Sequence, residues 1–286
     1  MTSQAVVLVG GPDSGKTNYL GRLWAAVNAG KGRLRAARAP GDIEYVEEIL
    51  SHLLQGGFAP RSDKNLETRR TNFSVSLTLA DSATSEEIEL TVPDVLGELW
   101  KNAVETLEIR EHWMSKLQAS TGALLFVRIH SDQNVAPMDW VTAQRILELH
   151  GDEGDAAKIP TQVFLCELVR FLEHTLIKPP PSQRPRVAVV VTAWDLLDAD
   201  TSAGGPGEYL RKQYPLFAGR ILDTERLEVR VFGVSIVGGD LTDDEAFRQS
   251  FVDGDLLKSG YVVSDGQGNR ERSDDITLPV AWLVAG

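Results

Sequence analysis

One cysteine in 286 residues, Cys166, excludes an intramolecular disulfide, so packing alone must hold the fold. It lies in the apolar run 163–166 and is expected to be a buried structural thiol, as suits a reducing cytoplasm. Histidine is scarce as well. His52, His112, His130, His150 and His174 fall at no metal-ligand spacing, and with a single cysteine they exclude a zinc site. Positive charge is short, 29 basic against 41 acidic residues, and the resulting formal charge of -12 disfavours nucleic acid and anionic membrane surfaces as partners. No run approaches the roughly 18 consecutive apolar residues of a membrane span, and no basic stretch precedes the first apolar segment, so neither export nor insertion is expected. No G-x-S-x-G nucleophile elbow occurs. What remains is an ordinary globular composition, 42% hydrophobic and 24% charged, with 25 Gly and 13 Pro scattered along the chain. We expect one large domain over residues 1–286.

Continuous apolar runs at 5–9, 122–129 and 186–191 have the character of strands covered on both faces of a largely parallel sheet, and 228–234 gives a further strand. Strict alternation at Phe73, Val75, Leu77 and Leu79, and again at Ile88, Leu90 and Val92, predicts an antiparallel hairpin. Helical spacing appears after Lys16 until Gly30, over 43–54, over 161–176, and over 207–222 with an interruption at Pro215. A long amphipathic helix is predicted over 100–118, with Val104, Leu107, Trp113 and Leu117 inward. The stretches 33–72 and 130–185 look like insertions, and 241–286 like an extension carrying a short apolar stretch at 261–263 and a second at 278–284. Strands alternating with helices imply an α/β sandwich with a mixed sheet.

Gly10-Gly11-Pro12-Asp13-Ser14-Gly15-Lys16-Thr17 fits G-x-x-x-x-G-K-[ST] between a strand and a helix. In this pattern the glycines let backbone N–H groups, those of Asp13 and Ser14 included, turn toward phosphate oxygens. Lys16 reaches the β- and γ-phosphates and Thr17 offers its hydroxyl to Mg²⁺. At the hairpin's end, Asp94 and Gly97 form D-x-x-G, suited to a water-mediated Mg²⁺ contact and to a bare N–H facing a γ-phosphate; a polar turn is the alternative. Thr192-Ala193-Trp194-Asp195 follows a buried strand. Its aspartate can accept from guanine N1–H and N2–H₂, a donor pair adenine lacks, or can simply cap the next turn. Ser235 and Ile236 end the following strand. The acidic clusters 152–155 and 243–245 lack calcium-loop spacing and are expected to be solvated.

The order P-loop, hairpin, D-x-x-G, T-x-x-D and serine loop resembles translation-factor-like and Ras-like P-loop GTPases. More narrowly it resembles the bacterial double-GTPase families of conflict and phage-defence operons, through the P-loop, Gly57-Phe58, the string Pro93 to Glu98, the Thr-x-Trp-Asp site and the closing Pro279 to Leu283. The resemblance implies a three-layer P-loop sandwich, GTP/GDP and Mg²⁺ as ligands, and a second GTPase or an effector as partner; the carboxylate of Glu98 beside a γ-phosphate would make hydrolysis slow. It implies that Ser235 and Ile236 touch the base through backbone N–H groups. It makes Thr71 the switch threonine on Mg²⁺, with Thr68 and Ser62 as rivals, and puts Glu98 where relatives carry a water-orienting Gln or His. Arg69 and Arg70 are candidates for an arginine finger in cis. Ala193 departs from the pattern, which has a lysine whose stem packs on the ribose and base side. A P-loop ATPase and a catalytically idle nucleotide-binding scaffold are the other readings.

Overall fold

A computed structural model describes residues 2–38, 43–59, 74–82, 87–93, 97–137, 159–178, 184–265 and 270–285. Among the described residues nine strands form one sheet in the order β2-β3-β4-β1-β5-β6-β7-β8-β9. They are β1 (Thr2–Val9), β2 (Leu34–Ala36), β3 (Ser74–Asp81), β4 (Glu87–Pro93), β5 (Ser120–Arg128), β6 (Arg186–Thr192), β7 (Glu228–Ser235), β8 (Tyr261–Asp265) and β9 (Arg270–Ser273). The five central strands, β4-β1-β5-β6-β7, run parallel. All five therefore end on one edge of the sheet, where an open α/β fold binds its ligands.

The helices are α1 (Lys16–Asn28), α2 (Ile43–Leu54), α3 (Gly97–Thr106), α4 (Glu111–Gln118), α5 (Thr161–Thr175), α6 (Ala199–Ser202), α7 (Pro206–Gln213), α8 (Pro215–Leu222), α9 (Glu245–Val252) and α10 (Leu278–Val284). Alternate residues of the apolar strands feed two separate cores. Val6, Leu8, Leu124, Phe126, Ala188 and Val190 pack with α1 and α10 on one face. Val7, Val9, Leu125, Val127, Val189 and Val191 pack with α3, α5, α7 and α8 on the other. The two-sided burial explains why these strands are apolar throughout instead of alternating. The result is the three-layer α/β sandwich expected from the sequence.

Three details differ from expectation. The predicted helix over 100–118 is two helices, because Leu107 adopts a left-handed φ of 58° and ends α3. Val104 and Leu117 are buried, whereas Leu107 is exposed by 62% at that turn. Antiparallel pairing also extends beyond the hairpin: β2 pairs with β3 at one margin, and β8 and β9 add to β7 at the other. Cys166 is half-buried and not enclosed; partial burial still pushes its thiol upward. The apolar segment 278–284 is α10, a helix with Pro279 in its first turn, whose Val280, Ala281, Leu283 and Val284 belong to the core. Among the described residues no helix is long and apolar enough to cross a membrane.

Candidate functional site

The P-loop leaves β1 at Val9 and enters α1 at Lys16. Gly10 (φ 149°) and Gly15 (φ 89°) both occupy the region open to glycine. A Cβ at Gly10 would stand 2.9 Å from the Phe126 carbonyl oxygen, so neither conformation nor space admits a side chain. Asp13 accepts the strain of φ 62°. Its carboxylate is tied down on both oxygens: Arg128 donates to Oδ1 at 2.8 Å and the Ser131 hydroxyl to Oδ2 at 3.2 Å.

Lys16 is buried, and its Nζ donates to the carbonyls of Gly10 (2.9 Å) and Gly11 (2.8 Å) and to Ser14 Oγ (2.9 Å). The ammonium is thus stored over the loop that it serves. Thr17 follows in the first turn of α1 and is half-buried. Its hydroxyl is the hard oxygen donor that Mg²⁺ takes, and no group of three acidic, His or Cys side chains competes among the described residues. The site therefore fits a cation held by Thr17 and by the nucleotide's own oxygens.

Thr192, at the end of β6, is buried against the loop and donates its hydroxyl to the Ser14 carbonyl at 3.0 Å. A Cβ at Gly15 would lie 3.2 Å from the Thr192 oxygen. Thr192 thus braces the P-loop from the neighbouring strand. Ala193 then turns left-handed (φ 59°), and Trp194–Leu196 form one turn of 3₁₀ helix. Trp194 anchors this turn: it is buried edge-on to Tyr209 with ring centroids 5.8 Å apart, in space that exists because residue 233 is glycine. A Cβ at Gly233 would meet the indole at 2.5 Å.

The anchored turn projects Asp195 into a cavity of about 80 Å³. Its lining includes Gly15, Phe58, Arg128, Ile236 and Asp240. Burial pushes the Asp195 carboxyl above the usual carboxylate range, and nearby Asp240 adds to the rise. A hydrogen bond with Ser235, one to its own backbone, and Arg128 pull the other way. Ser235 is fully buried and its Oγ also accepts from Gly238 N at 2.8 Å, closing the loop after β7. The Ile236 carbonyl accepts from Arg22 Nε of α1 at 3.1 Å, so the helix that starts at the P-loop also holds this loop.

Gly97 opens α3 against the loop's other side. A Cβ there would fall 2.4 Å from Pro12 N and 2.6 Å from the Gly11 carbonyl oxygen, both backbone. Trp100, one turn on, fixes α3 by donating to the Leu8 carbonyl at 3.2 Å. Glu98 is exposed in the first turn of α3. Thr71, Thr68, Ser62, Arg69, Arg70 and Asp94 lie outside the described residues.

The structure thus brings Gly10, Asp13, Ser14, Gly15, Lys16, Thr17, Gly97, Thr192, Asp195, Ser235 and Ile236 to one edge of the sheet. Arg128 and Arg22 were missed by sequence reasoning, and Trp194 was read only as part of the Thr-x-Trp-Asp string, without its anchoring contact. Only the position of Arg128, at the end of an apolar strand, was a signal that could have found it.

A family described as Double-GTPase 1 matches residues 7–283. The chain belongs to the Double-GTPase 1 family. The match takes in the P-loop, the Asp195 turn and the helix after β9, so this family's pattern runs through the whole edge just described. Among curated proteins none matches. Of solved structures, a bacterial selenocysteine-specific elongation factor EF-Sec is similar at 13% identity and a TM-score of 0.37, over 88% of this chain. The chain spans 27% of that structure's length.

Proposed function

We propose that this Double-GTPase 1 chain binds GTP and GDP with Mg²⁺ at the described edge and hydrolyses GTP slowly. The change between the two bound states is the signal it delivers to a second GTPase or an effector, in a bacterial conflict or phage-defence system in the cytoplasm. The observation that carries the reading is the brace between Thr192 and the P-loop: one turn supports the phosphate cradle with its first residue and offers Asp195 to a purine with its fourth.

The triphosphate would lie on the amides of residues 13–17, at the positive end of α1. Lys16 would exchange three neutral acceptors for phosphate oxygens, a charge-assisted replacement that favours the anion. Thr17 and, outside the described residues, Thr71 and Asp94 would hold Mg²⁺, which when bound would offset phosphate charge. Gly97 N–H faces the γ-phosphate. Asp195 accepts from the guanine N1–H and N2–H₂, while the backbone of Ser235 and Ile236 touches the base. Under adenine the half-buried carboxylate would keep its desolvation penalty unmatched.

Glu98 in place of a neutral water-orienting side chain places negative charge near a tetraanion, so turnover is slow without a partner. This also favours the second reading, a scaffold that holds nucleotide without turnover. Single-turnover assays with protein in excess separate the two. GDP should form on a scale of minutes to hours and Lys16→Ala should abolish it. Tight GTP binding with no Lys16-dependent product would leave the scaffold.

A further inference from the structure

The cavity before Asp195 has a charge problem. Among the described residues its lining holds two carboxylates, Asp195 and Asp240, and one basic side chain, Arg128. A third carboxylate, Asp13, lies at the adjoining bend of the P-loop. A nucleotide brings several more negative charges to a chain that already carries -12. At position 193 the turn presents only a methyl group toward this pocket, so β6 supplies no cation there.

Arg128 ends β5, in register with Thr192 of β6. Arg128 lines the Asp195 cavity and also a larger one, about 240 Å³, that Gly11 and Pro12 line as well. One end donates to Asp13, and among the described residues Nε is buried with no hydrogen-bond partner. A buried donor left unmatched on a guanidinium that is only one-third exposed is costly unless a ligand acceptor completes it.

We propose that Arg128 is a nucleotide-binding residue, the cation that offsets the carboxylates between phosphate cradle and purine pocket and contacts the sugar-phosphate side of the bound nucleotide. This rests on the nucleotide reading above. The bland alternative is a latch, in which Arg128 merely holds Asp13 and so keeps the P-loop in shape. The two differ in sign at Asp13. If Arg128 acts as ligand cation, Asp13→Asn removes a competing negative charge, keeps the left-handed backbone that Asn tolerates, and tightens nucleotide binding. If it acts as a latch, Asp13→Asn weakens binding as much as Arg128→Ala does.

The experiment is equilibrium titration of GDP, with Mg²⁺, into wild type, Arg128→Ala, Arg128→Lys, Asp13→Asn and the double variant Arg128→Ala/Ala193→Lys, with melting temperatures to verify folding. We expect Arg128→Ala to lose about tenfold or more in affinity, Arg128→Lys to lose less, and Asp13→Asn to bind more tightly than wild type. Lysine at 193, on a backbone already left-handed, should recover part of the loss. Arg128→Ala within about threefold of wild type, or equal losses at Arg128 and Asp13, would overturn the proposal while leaving the nucleotide reading intact. A wild type that binds no guanine nucleotide would instead remove the reading on which it rests.

Discussion

Under the proposed function Asp195 carries two opposite dependences on pH, because its ionised form is disfavoured by burial yet is the form that would pair with guanine. Its carboxyl is raised in the folded chain, so the stability it contributes is fully present below the unfolded carboxylate value and is lost as pH rises through the raised folded value. Guanine affinity should climb over the same window. Asp195→Asn should therefore stabilise the nucleotide-free chain near neutral pH and flatten its stability from the ordinary carboxylate range upward, while abolishing the preference for guanine. Urea melts of both proteins at several pH values check the first half and competition between GDP and ADP the second. A variant less stable than its parent at neutral pH would mean that Asp195 is well solvated. Gly97 makes a simpler case. Its missing Cβ is what lets α3 touch the Gly11–Pro12 backbone, and backbone cannot swing aside. Gly97→Ala should push α3 off the P-loop and lower the hydrolysis rate at least tenfold, with GDP affinity changed much less, as stopped-flow and single-turnover assays can separate. Equal losses in GDP binding and turnover would contradict this division.

At the scale of elements, α1 ties the molecule together. It starts at the phosphate cradle, packs on α2 through Gly21, and holds the Ile236 and Ser259 carbonyls with Arg22. A Cβ at Gly21 would meet Ile49 Cγ2 at 2.5 Å. Ala in place of a mid-helix Gly ordinarily gains about 0.5–1 kcal/mol, so this site reverses the usual sign. We predict that Gly21→Ala lowers stability by about 1–3 kcal/mol and that adding Ile49→Val restores part of it, measured by thermal melts.

Elements with strong local signals were legible: the apolar strands, the hairpin, the P-loop and the helices closed by Gly30 or divided at Pro215. The break at Leu107 was not, since the sequence there has neither glycine nor proline and a left-handed φ of 58° is one that leucine rarely adopts. The three-residue β2 was invisible too, because it exists as a partner for β3 and has no periodicity of its own.

For the molecule as a whole, the candidate site divides in the same way. The P-loop half lies within eight consecutive residues, where spacing alone specifies geometry, and its strand–loop–helix form was read from the sequence. The other half is assembled by topology. Parallel strands β1, β5, β6 and β7 deliver Asp13, Arg128, Asp195 and Ser235 to one edge, and contacts such as Arg128 to Asp13 join residues 115 positions apart. No local pattern marks such a pair. Trp194 was likewise legible as part of a string, but its work as an anchor depends on the vacant Cβ position at Gly233.

The proposed function makes one chemical demand of the sheet's edge, a triphosphate on the loop together with a guanine on the carboxylate. Calorimetric titration of the Mg²⁺-supplemented chain with GTP, GDP, ATP and ADP tests both parts at once. The account predicts saturable heat with GTP and GDP, and affinities for ATP and ADP at least about tenfold weaker. Adenine nucleotides binding as tightly as guanine nucleotides, or no heat with any of the four, would contradict it.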